Sequence, residues 1–433
     1  MIPRSVPFVV PLFSSSSPVF SRLSIRRKST ITAATRNGRF LDIEWSNGDK
    51  GRFPVVWMRD CSPDPYTYTI SPAMTARNLH MSTFDVEVEP LSLSIAENGN
   101  ELIVEWPGLT SKYQADWLRE RNACNEEVKK RRRQWYLFPT TTWGNEMEAN
   151  VNTVDYTSFM NDDKTLHDSL KALCLDGIVV VKGAERRKRG IVEEIGKRIG
   201  LIHNTHFGHV FEVSTKSDAS NMAYATKSVL PFHTDFTSLA DPPQLQMLHM
   251  FIKAQTGGNS LFVDGFHVAE KLRIEHPKIF EILSRLSCEF TEEGFDLHEG
   301  KDGKDELFTY NMAARHTTIK TDSTGRVVRV QFGNAMRSWF YDCTPEETEQ
   351  LYKGLKMFTN YCYDKKNIIK LSLEEGDSVI WANTRVLHTR DSYVDIPSSP
   401  RTLTGCYFAW DIVKSRVRQL SRSLQLPSAQ PPA

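Results

Sequence analysis

The chain has 433 residues, 40% hydrophobic and 25% charged, which is enough apolar material for a packed core and enough length for two domains plus tails. Lysine and arginine (54) balance aspartate and glutamate (53), which argues against a nucleic-acid binder working through bulk charge. No stretch reaches the roughly eighteen consecutive apolar residues of a membrane-spanning helix, and seven scattered cysteines with no Cys-x-x-Cys pair point to free thiols rather than a disulfide frame.

The amino terminus differs from the rest. No acidic residue precedes Asp42, whereas Arg4, Arg22, Arg26, Arg27, Lys28, Arg36, Arg39 and the serine run Ser14–Ser17 fall before it. Basic, serine-rich and acid-free composition is the pattern of an organelle transit peptide, so residues 1–38 are expected to be a transit peptide or a disordered tail. That makes the expected location mitochondrial, with a cytoplasmic one as the alternative. Residues 39–125 read as a small β-rich domain, because FLDIEW, PVVWMRD, DVEVEPLSLSI and ELIVEW alternate apolar and polar positions between Asn-Gly or Gly-Asn turn signals. EEVKKRRRQWY then opens a linker at 126–150, and its five consecutive basic residues read as a solvated segment. The larger domain is expected over 151–422. It opens with the helical SLKALCLDG and the continuous apolar strand IVVVKG, and closes with the strand-like RVVRVQF, DSVIWAN and LTGCYFAWD. Few long amphipathic helices are expected after residue 230, and the Pro-rich residues 423–433 read as a disordered tail.

Chemistry concentrates at PFHTDF, residues 231–236. In a strand, residues two apart share a face, so His233 and Asp235 would project together. Of the twelve histidines, His233 alone has an acid two residues on. A lone His-x-Asp is often an ordinary hydrogen-bonded pair. It gains meaning if a second histidine joins from another strand, because non-haem Fe(II) oxygenases hold iron with two histidines and one carboxylate and leave three positions open. His249, His267, His276, His298, His316 and His388 all follow. His388 stands out in GDSVIWANTRVLHTRDSY, at the end of an apolar strand, with Arg401 thirteen residues later in RTLTGCYFAW. A buried arginine there would suit the distal carboxylate of an oxo-acid cosubstrate.

Taken together, HTD, PPQLQMLH, TGGNSLFVDGFHVAEKL, VLHTRDSY and RTLTGCYFAWDIVKSRVR resemble the γ-butyrobetaine and trimethyllysine dioxygenase family of 2-oxoglutarate oxygenases, from about residue 40 to residue 420. RVVRVQFGNAMRSWFYD and CYFAWDIVKSRVRQL resemble the butyrobetaine side of that family more closely. The resemblance implies a mainly β fold with flanking helices: a double-stranded β-helix (jelly-roll) catalytic domain plus the small β-rich amino-terminal domain. It implies His233, Asp235 and His388 as Fe(II) ligands and catalytic residues, and Arg401 as the 2-oxoglutarate-binding residue. It also implies O2 as cosubstrate, ascorbate as reductant, a small quaternary-ammonium substrate and a homodimer, without nucleic-acid or membrane partners. Phe207, Phe211, Tyr224, Phe236 and Tyr407 match the family's aromatic cage, and Asn221 and Asn334 match positions that hold the substrate's other end. A trimethylammonium group has no N–H to donate, so ring faces must bind it.

Two departures stand out. Three cage positions are Phe where the family has more Tyr or Trp. The small domain's zinc site of three cysteines and a histidine is reduced to Cys61, with His80 nearby in sequence, so a structural zinc is expected to be absent. The expected reaction is hydroxylation of γ-butyrobetaine to L-carnitine with release of succinate and CO2. Trimethyllysine hydroxylation is the first alternative, and a non-catalytic jelly-roll binding protein is the second.

Overall fold

Alternation in sequence becomes burial in the computed structural model, which describes residues 29–70, 75–139, 141–214, 229–299, 305–396 and 398–426. The chain forms two compact units that divide between Arg132 and Arg133.

In the first unit, strands Ile31–Asn37, Phe40–Trp45 and Lys50–Pro54 form one antiparallel sheet, and Ser92–Ile95, Glu101–Trp106 and Leu109–Gln114 form another. Leu102, Val104 and Trp106 of ELIVEW face inward and pack with Leu41, Ile43, Phe53, Met58 and Tyr113. Two aromatic polar atoms buried in this core find partners: Trp45 Nε1–H donates to the Ala115 carbonyl at 3.1 Å, and Tyr113 donates its hydroxyl to the Met58 carbonyl at 2.5 Å. The first strand begins at Ile31, inside the stretch expected to be a tail. The expected strand PVVWMRD is instead a strand end at Pro54 followed by the helix Val55–Asp60. Val55 and Met58, three apart, are its buried residues, the spacing of a helix face and not of one face of a strand. The basic stretch expected as linker lies in a helix, Glu126–Trp135, with Val128 as its buried residue.

The second unit is built on a six-stranded sheet in the order Phe211–Ser214, Thr402–Phe408, Leu245–Ile252, Ser378–Trp381, Ile178–Lys182 and Thr153–Asp155. A three-stranded sheet, Ile368–Leu371, Ser260–Asp264 and Val386–Arg390, packs against it, with the ring of Phe262 on that of Trp381 at 5.3 Å. These two sheets form the jelly-roll core. The helix Asp163–Asp176 starts on the Asp162 carboxylate, which accepts from the Lys164 and Thr165 N–H groups, and stops at Gly177 with φ 81°. Leu166, Leu170 and Leu173 of this helix, with Val413 and Val417 of Trp410–Ser423, share one apolar core with Val179, Val180, Met247 and Cys406 of the large sheet. IVVVK reads as continuously apolar because Ile178 to Val181 are all buried.

The helices after residue 230 outnumber the expectation: Gly265–Glu275, Pro277–Arg285, Pro345–Cys362 and Trp410–Ser423. The first three share a second core around Leu272, Leu283, Leu351, Phe358 and Leu387. Asp305–Thr317 folds back on Ser287–Glu299 as a long hairpin.

Candidate active site

The two histidines meet through their backbones. His388 lies mid-strand in Val386–Arg390, opposite Phe262 rather than at a strand end. His233 forms a single bridge to it: the His233 N–H donates to the His388 carbonyl at 3.1 Å, and the His388 N–H donates back at 2.9 Å. The chain then turns at once, so HTD is not the regular strand that the two-residue period suggests; Phe236 has φ 62°, unusual for a bulky residue. Asn383 holds this turn. Its side-chain oxygen accepts from the Asp235 N–H at 2.8 Å, and its amide donates to the Asp235 carbonyl at 3.0 Å and the Pro243 carbonyl at 2.9 Å.

The result is a convergent triad. One ligand atom from each of His233, Asp235 and His388 lies within 4.8 Å of the other two. Asp235 Oδ1 is 3.3 Å from His233 Nε2 and 3.7 Å from His388 Nε2. His233 donates Nδ1–H to the Pro231 carbonyl at 2.9 Å, which leaves the Nε2 lone pair facing the centre. Burial alone would push the Asp235 carboxyl up, but His388, His233 and the Tyr407 hydroxyl outweigh it and hold it well below the usual carboxylate range. Burial, reinforced by the charge of His233, pushes His388 down to about 3, so it is a neutral ligand-ready imidazole at pH 7. The neutral His388 imidazole, the inward-facing Nε2 of His233 and one carboxylate on one face fit the 2-His-1-carboxylate set of a non-haem Fe(II) site.

The alternative third histidines are engaged elsewhere. His249 Nδ1 is 2.9 Å from the Ser378 hydroxyl, His267 Nδ1 is 3.3 Å from the Thr142 hydroxyl, and His316 donates to the Leu239 carbonyl at 2.8 Å. His276 packs edge-on against Tyr361, and the His298 side chain lies outside the described residues.

Arg401 is 4% exposed and sits just before the strand Thr402–Phe408. Its backbone N–H donates to Asp395 at 2.9 Å, and its Nη2 donates to the Gly258 carbonyl at 3.2 Å. Its Nε has no partner, and burial, helped by Arg390, lowers its pKa to about 10. A buried guanidinium with an unused donor suits an anionic cosubstrate end. The backbone makes room for it. Gly257 and Gly258 both have φ +71°, and a Cβ on Gly258 would lie 2.9 Å from Arg401 Nε.

Beside the triad the expected aromatic positions converge. Phe211 stacks on Tyr407 at 5.0 Å and 20°, Phe236 meets Tyr407 edge-on at 5.0 Å, and Phe207 lies 5.8 Å from Phe236. Asn334 is exposed and follows Gly333, where an added Cβ would lie 3.7 Å from that of His233. Asn221 and Tyr224 lie outside the described residues.

Several neighbours escaped the sequence reading. His206 lies 4.1 Å from Phe207, 5.3 Å from Phe236 and 4.7 Å from Tyr310 of the long hairpin, centroid to centroid. Trp381 lies 4.8 Å from His388. His206 adjoins Phe207 in HFGHVF, a cue available from sequence; the hairpin's contribution comes from a fold-back with no local signal.

The His-Asp-His triad and the jelly-roll core around it define an oxygenase, and the chain belongs to the family described as Taurine catabolism dioxygenase TauD, TfdA family, matched over residues 137–407. It is a 2-oxoglutarate-dependent dioxygenase of an Fe(II)-dependent family. Over 393 residues it is 33% identical to the gamma-butyrobetaine dioxygenase of Pongo abelii, covering 90% of this chain and 97% of that one. It is 29% identical to the gamma-butyrobetaine dioxygenase of Pseudomonas sp., covering 91% and 97%, and 26% identical to the mitochondrial trimethyllysine dioxygenase of Gallus gallus, covering 85% and 83%.

Proposed function

We propose that the protein hydroxylates γ-butyrobetaine to L-carnitine, consuming O2 and 2-oxoglutarate and releasing succinate and CO2. The observation that carries this reading is the cluster of Phe207, Phe211, Phe236 and Tyr407 beside the His-Asp-His triad. Ring faces suit a trimethylammonium group, which has no N–H to donate. The higher identity to gamma-butyrobetaine dioxygenases than to trimethyllysine dioxygenases supports the same choice.

In this reading His233, Asp235 and His388 hold Fe(II), which when bound supplies the O2 activation that couples 2-oxoglutarate decarboxylation to C–H hydroxylation. Arg401 takes the distal carboxylate of 2-oxoglutarate. The cage, completed by Tyr224, fixes the cationic end of the substrate, while Asn221 and Asn334 hold its carboxylate end. The protein's contribution is placement, since a misplaced C–H leaves the oxidant uncoupled from product. Ascorbate serves as the reductant that keeps the iron ferrous. The small unit works without a structural zinc, the enzyme acts as a homodimer on a small-molecule substrate, and it resides in mitochondria.

Trimethyllysine hydroxylation is the second reading. The basic, acid-free start of the chain favours it, because relatives named trimethyllysine dioxygenase are also named mitochondrial. Turnover of the Fe(II)-loaded protein with each substrate, following succinate and hydroxylated product together, separates them. Carnitine formed from γ-butyrobetaine, with no hydroxytrimethyllysine, is the expected outcome. Hydroxytrimethyllysine alone would transfer the assignment to the second reading.

A further inference from the structure

We infer that Tyr407 is a positioning residue for the metal carboxylate, and that its hydroxyl fixes Asp235 as a one-oxygen ligand. The inference rests on the reading of His233, Asp235 and His388 as the metal site.

The two oxygens of Asp235 have different surroundings. Oδ1 faces both histidine nitrogens, at 3.3 and 3.7 Å, and so points to the common vertex where a metal would sit. Oδ2 accepts the Tyr407 hydroxyl at 2.8 Å. A free carboxylate next to a cation can rotate to bind through both oxygens. Doing so here would fill one of the three positions that a 2-His-1-carboxylate site must keep open. That rotation would break the Tyr407 bond, a hydrogen bond to an ionised group and so one of the stronger kind.

Tyr407 is itself hard to move. It lies within the strand Thr402–Phe408, opposite Gln246 of the neighbouring strand, and is 3% exposed. Its ring is packed by Phe211 on one side and the edge of Phe236 on another. One side chain therefore offers its ring to the aromatic cluster and its hydroxyl to the metal ligand. Local motif reading does not reveal this second role, because Tyr407 and Asp235 are 172 residues apart.

Tyr407→Phe keeps the ring and removes only the oxygen. The test is anaerobic Co(II) titration of wild type and variant, following both the dissociation constant and the visible cobalt absorption, which reports coordination number. Thermal melting checks that both proteins are folded. The expected result is a ten- to a hundredfold weaker cobalt affinity, the usual range for loss of a group that orients a ligand, together with an altered cobalt spectrum. A purely structural role in packing would leave the spectrum unchanged. Equal affinity and identical spectra in the two proteins would overturn the inference. Failure of the wild type to bind cobalt, with His233→Ala indistinguishable from it, would overturn the metal-site reading and the inference with it.

Discussion

The ring of Phe211 lies nearly parallel to that of Tyr407, 5.0 Å away, and Tyr407 in turn bonds Asp235 of the triad. If the cluster is the substrate cage proposed above, its removal should affect the cationic substrate and leave 2-oxoglutarate nearly untouched. For Phe211→Ala the expected change is a rise of about ten- to a hundredfold in KM for γ-butyrobetaine, from one lost cation–π face and its packing, with KM for 2-oxoglutarate altered by less than about threefold. Steady-state kinetics with each substrate varied in turn decides it, and an equal rise in both would make Phe211 a core residue. At this scale the sequence was informative. His233, Asp235 and His388 were legible as types at a spacing, and the structure brings them together. The reason for their convergence was not legible. The expected strand is a single bridge followed by a turn, and the turn is held by Asn383, 148 residues from Asp235. No local pattern around HTD announces that clamp.

Elements were legible where one face is buried and the other is not. ELIVEW alternates and is a strand; IVVVK is apolar throughout and is a buried strand. PVVWMRD was misread because Val55 to Met58 form a short apolar run that can be read as strand or helix, and the three-residue spacing of the buried Val55 and Met58 shows only once burial is known. The helix Pro345–Cys362 was underweighted, although its start is written in the sequence. Thr344 accepts from the Glu347 N–H, the Glu347 carboxylate accepts from the Thr344 N–H, and Pro345 occupies the first turn. Thr344→Ala should cost about 1 kcal/mol by loss of this capping box, read as a lower urea midpoint. The helix belongs to the second core rather than the triad, so KM values should stay within error of wild type.

For the molecule as a whole, the buried ionisable groups set its tolerance of acid. His249 lies 1% exposed on the large sheet, and burial lowers its pKa from 6.5 to about 4. Its Nε2 has no hydrogen-bond partner, and Asp377 offsets only part of the burial penalty on a proton gained there. The sign follows directly: the folded state resists protonation, while the unfolded chain accepts it near pH 6.5. The stabilisation is complete above pH 6.5 and is lost as pH falls from 6.5 towards 4, up to about 3 kcal/mol. Urea unfolding from pH 7 to pH 4.5 should show this slope in wild type, and His249→Asn, which keeps a polar atom near Ser378, should flatten it. A slope unchanged in the variant would place the acid sensitivity elsewhere.

The glycine beneath Arg401 has a consequence for anyone sorting members of this family by their motifs. A methyl group at position 258 would lie 2.9 Å from the guanidinium Nε and would force a residue with φ +71° into a conformation that side chains resist. A chain carrying that one change would keep both histidines, the aspartate and the arginine, and would pass every inspection of its catalytic signature. On the role proposed for Arg401, it would nonetheless have lost the seat of its oxo-acid. On that reading an inactive paralogue can arise silently, and the place to look for it is a glycine outside the catalytic signature.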